Sequence, residues 1–435
     1  MFVRAFQPRP SSPVQSGHVE APLFPLRRVV VAGVALLLSA SVLTACDNGA
    51  DIGSSSSEET AGLSSGSEGG SGSGDQPADD APAASVKMNV ARNASDVPVD
   101  TDLTVTAVDG TLQSVDVVGT GEAGALSGEL AGDGSGWKAG DLLEPGTTYT
   151  VKASVSGADG ESVVKRQKFT TVDLSLDQQT YPSVAPLPGE TVGVGMPVIV
   201  TFDLPVTDKA AFEKKMHVTT SPEQVGSWRW ISDTEAHYRP KKYWQAGTTV
   251  DVDVDVNGVD AGNGIYGQES RDVDFTVGDA NIYSVDTKTD QMKVTSNGQL
   301  LRTIPITTGE QPAYTTRSGV KVIIEKFESK DMNSETVGIT GADAYNIEGV
   351  QWAMRLTYSG EFIHAAPWSV ASQGRANVSH GCTGMSTENA DWLFHMSKRG
   401  DVVDYTGTDR GIEAGNGYDD WNVSWSDYKA GSALS

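Results

Sequence analysis

Cysteine is nearly absent: in 435 residues only Cys46 and Cys382 occur. Two thiols exclude a disulfide-stapled scaffold. Basic residues are scarce too, 32 Lys and Arg against 57 Asp and Glu, for a formal net charge of -25. A phosphate-tracking surface needs clustered Lys and Arg, and no such run occurs, which excludes nucleic acid as a partner. Long apolar runs are also missing. The run Val29–Leu43 has fifteen residues, short of the roughly 20 that span a bilayer. What is present, 48 Gly and 38% hydrophobic residues, fits a β-rich chain with many turns. The length suggests about three domains.

Arg27-Arg28 followed by the short apolar run suits an export signal. The run closes on Leu43-Thr44-Ala45-Cys46, which resembles the lipobox of bacterial lipoproteins. That resemblance implies a signal peptide over residues 1–45, lipidation of Cys46 and anchoring to the outer face of the cell membrane. From Asp47 to about Ser85 the chain is rich in Gly, Ser and Ala, with eight acids and no Lys or Arg. Such sequence cannot bury enough apolar surface to order itself. Residues 46–85 therefore read as a flexible acidic tether, with an r.m.s. reach of roughly 35 Å.

Two β-modules are expected next, over 86–172 and 173–278. In the first, Leu103, Val105 and Ala107 alternate, as do Tyr149, Val151, Ala153 and Val155. In the second, Val198, Val200 and Phe202 alternate, as do Val250, Val252, Val254 and Val256. Period-2 runs between turn residues predict small sandwiches. Pro145-Gly146-Thr147-Thr148 and Ala246-Gly247-Thr248-Thr249 lead into such runs at an offset of 101 residues, which suggests a duplicated immunoglobulin-like unit. Trp228, Trp230, Tyr238, Tyr243 and Trp244 crowd the second module, where core and interface packing is expected over a glycan-binding face.

The chemistry concentrates in the last third. Ile282–Val285 opens a strand, Asn297-Gly298 reads as a hairpin turn, and strands are expected at Val320–Ile324 and Phe362–His364. One helix is expected from Thr387 to Arg399, capped by Ser386 and stopped by Gly400. Between them stand His364-Ala365-Ala366-Pro367-Trp368-Ser369 and Ser379-His380-Gly381-Cys382-Thr383-Gly384-Met385. If lipid consumes Cys46, the thiol of Cys382 has no partner. An unpaired thiol outside the cell is an oxidation liability, so a chemical role explains it better. His364 and His380 supply bases that favour a nucleophilic thiolate.

This segment resembles the L,D-transpeptidase (YkuD) family of peptidoglycan cross-linking enzymes, whose signature is a His, a mid-length gap and then Ser/Thr-His-Gly-Cys. The stretches Tyr358–Gly360 and His364–Val370, with the tail Asp420-Trp421-Asn422-Val423-Ser424-Trp425, resemble the mycobacterial and corynebacterial subgroup. The implied architecture is mainly β and multidomain. Two immunoglobulin-like β-sandwiches precede a β-rich YkuD-type catalytic domain over 279–407, with one main helix, and a C-terminal subdomain over 408–435. The resemblance implies Cys382 as nucleophile and His364 as general base, with His380 and Ser379 shaping the pocket and supporting the thiol. It also implies oxyanion donors from the backbone N–H groups of Gly381, Cys382 and Thr383, and substrate contacts from Met332, Tyr345, Tyr358 and Trp368. The implied partners are a donor tetrapeptide stem and an amine-bearing acceptor stem, with carbapenems as covalent inhibitors and no metal or organic cofactor.

Two positions depart from the family pattern. Ala365 stands where close relatives often have Ser, so a backbone carbonyl is expected to orient His364. Gly384 stands where Asn or Arg is common, so a side-chain contact is lost there. Other readings are a zinc site on His364, His380 and Cys382, the same acyl-enzyme used as an L,D-carboxypeptidase or protein–peptidoglycan ligase, and a non-catalytic wall-binding lipoprotein. His217 and His237 are expected at the surface or as satisfied polar groups, and His395 as a packing residue. Trp421 and Trp425 are expected to anchor the C-terminal segment.

Overall fold

The computed structural model describes residues 83–338 and 340–435. The expected signal peptide, Cys46 and the expected tether up to residue 82 lie outside these residues. The first four-stranded sheet joins Ser85–Met88, Thr104–Val108, Gly136–Ala139 and Gly128–Leu130. The second joins Ala125–Leu126, Gly110–Gly119, Thr148–Gly157 and Ser162–Thr170. Alternation decides what lies inside. Tyr149, Val151, Ala153 and Val155 are buried while the residues between them are only half-buried. The buried set packs with Leu103, Val105 and Trp137 of the opposite sheet, as the period-2 pattern requires.

Two further four-stranded sheets follow. One joins Pro182–Ala185, Val198–Phe202, Glu235–Pro240 and Gly226–Trp230. The other joins Thr191–Val192, Arg271–Val277, Thr249–Val254 and Met216–Ser221. The two repeated Gly-Thr-Thr motifs occupy equivalent places. Gly146 and Gly247 both have left-handed φ, 59° and 79°. Their N–H groups donate to Val172 and Val277 at 2.8 and 2.9 Å, two residues past the end of one strand and at the end of the other. Trp228, Tyr238 and Trp244 are buried in this second core, with Trp230 and Tyr243 packed against it. The Nε1–H groups of Trp228 and Trp244 donate to the carbonyls of Met216 and Met196 at 3.0 and 2.7 Å. The aromatics are thus spent on packing.

The catalytic region comprises β1 (Asn281–Asp286), β2 (Gln291–Ser296), β3 (Gln299–Pro305), β4 (Gly319–Val322), β5 (Glu325–Asn333), β6 (Asn346–Arg355), β7 (Phe362–Ala365), β8 (Thr383–Met385), α1 (Thr387–Met396) and β9 (Val402–Thr406). One sheet runs β3-β2-β1-β9-β4 and the other β5-β6-β7-β8. Asn297 and Gly298 both take positive φ, 49° and 80°, the requirement of a tight hairpin between β2 and β3. Ser386 Oγ caps α1 by accepting from Asn389 N–H, and Ala390, Leu393 and Phe394 form its buried face. The helix ends at Met396, not Arg399. Ser397 turns extended, at ψ 150°, and its hydroxyl donates to the Leu393 carbonyl at 2.6 Å. Lys398 N–H then goes to the Asp401 carboxylate. Gly400, at φ 86°, serves the turn into β9 instead of the helix.

Backbone contact joins the second module to the catalytic region. Gly193 and Gly195 N–H donate to the carbonyls of Arg399 and Gly400 at 2.7 and 2.8 Å. A Cβ on Gly193 would lie 2.2 Å from Asp401 N, so no side chain fits. Val322 and Val402 belong to the same buried cluster as the second module. The C-terminal segment locks both. Trp421 Nε1–H donates to Gly195 O at 2.7 Å, and the Arg239 guanidinium lies over the rings of Trp421, Trp425 and Tyr428.

His237 is buried as a satisfied polar group, the second of the two expectations. Its Nδ1 meets Asp420 Oδ1 at 3.0 Å and its Nε2 meets Glu235 Oε1 at 2.8 Å. Burial alone would lower its pKa, but the two carboxylates outweigh that and raise it to about 9. A raised imidazole pKa stabilises the fold fully below the ordinary 6.5 and loses that contribution as pH rises through 9. The unfolding midpoint is therefore expected to fall between those values. Asp420→Asn should flatten that decline and lower stability by on the order of 3 kcal/mol, read by thermal unfolding across pH.

Candidate active site

β7 and β8 run parallel, with Ile363 beside Thr383 and His364 beside Gly384. This register brings the base strand alongside the loop that ends in Cys382. Cys382 and His364 are both buried, at 6% exposure each, and both line one cavity of about 270 Å³. Met332, Tyr345, Trp368, Ser379, His380 and Gly384 share its wall. Among the described residues no Asp, Glu, Lys or Arg lines it, and the titratable groups that do are the thiol, the two imidazoles and Tyr345.

The His364 Nδ1 lies 2.8 Å from the Ala365 carbonyl. A carbonyl only accepts, so Nδ1 carries the proton and Nε2 keeps its lone pair. The expected backbone orientation of the base is therefore present, supplied by the neighbouring residue itself. Trp368 stacks on the imidazole at 5.9 Å between centroids. Burial lowers the His364 pKa, with the Ala365 hydrogen bond opposing. Burial also pushes the Cys382 thiol up to about 12. The resting pair is thus neutral thiol and neutral imidazole, and the sulfur's own hydrogen bond goes to Gly360 O at 3.5 Å.

Ser379 and His380 act on the loop, not on the sulfur. Ser379 Oγ accepts from Gly381 N–H at 3.1 Å and donates to Cys382 O at 2.6 Å. The Gly381 N–H is therefore engaged, which removes it from the expected oxyanion donors. Gly381 has φ 124°, open to glycine, and its carbonyl accepts from Thr316 Oγ1 at 2.8 Å. The His380 ring sits between those of Tyr314 and Tyr345, tilted to both, at 4.4 and 4.8 Å between centroids. The hydroxyl of Thr383 is bound to Tyr405 at 2.6 Å. Among the described residues no three of His, Cys, Asp and Glu assemble as a metal-binding group.

Tyr358 corrects the expectation. It does not line the Cys382 cavity; it is 54% exposed and meets Tyr418 edge-on at 6.4 Å. It sits in the turn between β6 and β7, which packs toward the C-terminal segment through the Asn416–Ser359 hydrogen bonds. Thr307, Ile347, Ala366, Ser369 and Val378 complete the cavity and were not foreseen. The sequence offered a cue for Ala366 and Ser369 only, through their adjacency to the base. At Gly384 a Cβ would lie 2.8 Å from the Ala366 Cβ and 3.1 Å from Thr307 Cγ2, so neighbours close over the space a side chain would need.

The family description "L,D-transpeptidase catalytic domain" matches residues 281–404, and "Bacterial Ig domain" matches 94–260, across both sandwiches. L,D-transpeptidase 2 of Mycobacterium tuberculosis (strain CDC 1551 / Oshkosh) is 36% identical over 348 residues, covering 79% of this chain and 84% of that protein. L,D-transpeptidase 5 of Mycobacterium tuberculosis (strain ATCC 25618 / H37Rv) is 34% identical over 361 residues, covering 81% and 78%. A solved LD transpeptidase in complex with imipenem is 36% identical, covering 52% of this chain and 97% of that one at a TM-score of 0.45.

Three outcomes follow. The Ala365 side chain lies in the catalytic core at 2% exposure, so Ala365→Ser is expected to leave kcat/KM unchanged and to lower stability by about 1–3 kcal/mol. A large gain in rate would contradict this. Ser379→Ala frees both ends of the Cys382 loop and should lower kcat/KM by up to about 10²-fold, with little change in the thermal midpoint. Because burial lowers the imidazole pKa, the acid limb of kcat/KM should lie below pH 6.5, the ordinary value; a limb at or above it would refute the neutral resting pair.

Proposed function

The chain belongs to the L,D-transpeptidase family, and on that premise we propose that it forms 3→3 peptidoglycan cross-links through an acyl-enzyme on Cys382. The observation that carries this reading is the pairing, in one charge-free cavity, of a buried neutral thiol with an imidazole whose Nε2 is unprotonated. Neither group is activated at rest. Attack on a carbonyl becomes favourable when the thiol proton passes to Nε2 as the C–S bond forms.

In the first half, Cys382 Sγ attacks the carbonyl of the third residue of a tetrapeptide stem, and its proton moves to His364 Nε2. Backbone N–H groups at Cys382 and Thr383 hold the oxyanion. The imidazolium returns the proton to the departing amine, and D-Ala leaves. In the second half, an amine of another stem attacks the thioester carbonyl, His364 takes its excess proton, and collapse releases the cross-link and the thiol. The predominantly apolar wall keeps water from the thioester, which favours an amine acceptor over hydrolysis. Carbapenems, by the same chemistry, acylate Cys382 through their strained carbonyl.

The sequence around Cys46 supports lipidation there and display on the outer face of the membrane, with the acidic tether and the two sandwiches carrying the site into the wall. Product analysis tests the reaction. The chain with a disaccharide-tetrapeptide should release D-Ala and yield 3→3 dimers, and Cys382→Ala should yield neither. Tripeptide alone would mark an L,D-carboxypeptidase, transfer to a protein amine a ligase, and no turnover a wall-binding protein.

A further inference from the structure

Lys321, on β4, is a fully buried lysine; its side chain is 0% exposed. Its Nζ lies 2.5 Å from Glu361 Oε2 and 3.9 Å above the Tyr405 ring. Glu361 is 4% exposed, and its Oε1 accepts from both the backbone N–H and the guanidinium of Arg317 at 3.0 Å. The main chain of Glu361 is fixed as well, its N–H on Thr357 Oγ1 at 2.9 Å and its carbonyl on Leu356 N–H at 2.9 Å. The residues on either side of Glu361 are those that meet the nucleophile. Gly360 O accepts the Cys382 thiol, and Phe362 packs with Cys382 in one buried cluster.

A carboxylate so placed has two opposing effects. It anchors the segment that meets the sulfur, and its negative charge opposes ionisation of the thiol. Lys321 and Arg355 act in the opposite sense on the sulfur. The other titratable neighbours, His364, Tyr345 and Tyr405, are neutral at rest, the two tyrosines held so by burial. A buried charge pair of this kind is costly to desolvate, and removal of one partner leaves the other uncompensated.

We propose that Lys321 is a positioning residue that acts on the nucleophile through Glu361: its buried ammonium neutralises the carboxylate beside the residues that meet the sulfur, and so removes that carboxylate's opposition to the thiolate. Lys321 lies outside the cavity wall and acts only through Glu361 and through charge. The inference rests on Cys382 as nucleophile. Alkylation by iodoacetamide needs no peptidoglycan donor, so its outcome is separable from that of the transpeptidase reading.

The experiment follows alkylation of the full chain between pH 7 and 9, read by mass on the peptide that contains Cys382. Lys321→Met should displace the pH–rate line so that alkylation is about tenfold slower at each pH, the equivalent of about one pKa unit. The electroneutral Lys321→Met/Glu361→Gln variant should recover most of that loss, because the opposing anion has gone too. A merely structural role predicts the reverse, with the double variant at least as slow as the single one. Wild-type rates in Lys321→Met, or no recovery in the double variant, would overturn the proposal. If Lys321→Met does not fold, Glu361→Gln decides: faster alkylation than wild type supports the proposal, and an equal or slower rate overturns it.

Discussion

A thiol and an imidazole must both be withdrawn from water, and both must stay uncharged, for this site to exist. Burial enforces the second condition once the first is met, since it disfavours the thiolate and the imidazolium alike. The parallel register of β7 and β8 enforces the first, because it fixes His364 next to the end of the Cys382 loop without either side chain crossing to solvent. The rest of the catalytic region serves that register. α1 packs its apolar stripe on the same core as Ile363, Ala365 and Met385, so the two short strands are held from one side by the helix. On the loop itself, Ser379 and Thr316 hold the peptides of Gly381 and Cys382 by hydrogen bonds to both.

The acidity of the whole molecule does not reach into the cavity. A chain of net charge -25 presents a reacting cavity whose wall, among the described residues, holds no carboxylate. Charge returns only in the packing around it, where Glu361 is held between Lys321 and Arg317. That arrangement lets a charged anchor sit close to the sulfur at limited electrostatic cost. The sandwich next to the catalytic region is part of the same rigid system. Its core includes Val322 and Val402, and the C-terminal segment binds both through Asp420, Asn422 and Trp421.

Local signals in the sequence were enough for the alternating strands of the sandwiches and for the motif that holds His364 and Cys382, but not for β5, β6 and β9. Alternation from Val250 to Val256 and from Tyr149 to Val155 is a property of consecutive residues, and so is the run Ser379–Cys382. The missing features are those set by partners far along the chain. Tyr358 leaves the cavity because its turn packs toward Asn416 and Tyr418, some sixty residues later. α1 stops early because Ser397 and Asp401 compete for its last turn, and that competition exists only once β9 is in place. Lys321 and Glu361 are 40 residues apart. Lysine inside the apolar run Val320–Ile324 was a visible anomaly, but nothing local named its counter-ion. His237 likewise meets Asp420 from 183 residues away.

In the proposed reaction Cys382 carries the acyl group. Intact-mass spectrometry of the chain mixed with a disaccharide-tetrapeptide donor tests it most directly, with Cys382→Ala in parallel. An adduct equal to the donor less D-Ala is expected on the wild type alone. An adduct that persists in Cys382→Ala, or donor turnover with no adduct on any time scale sampled, would contradict it.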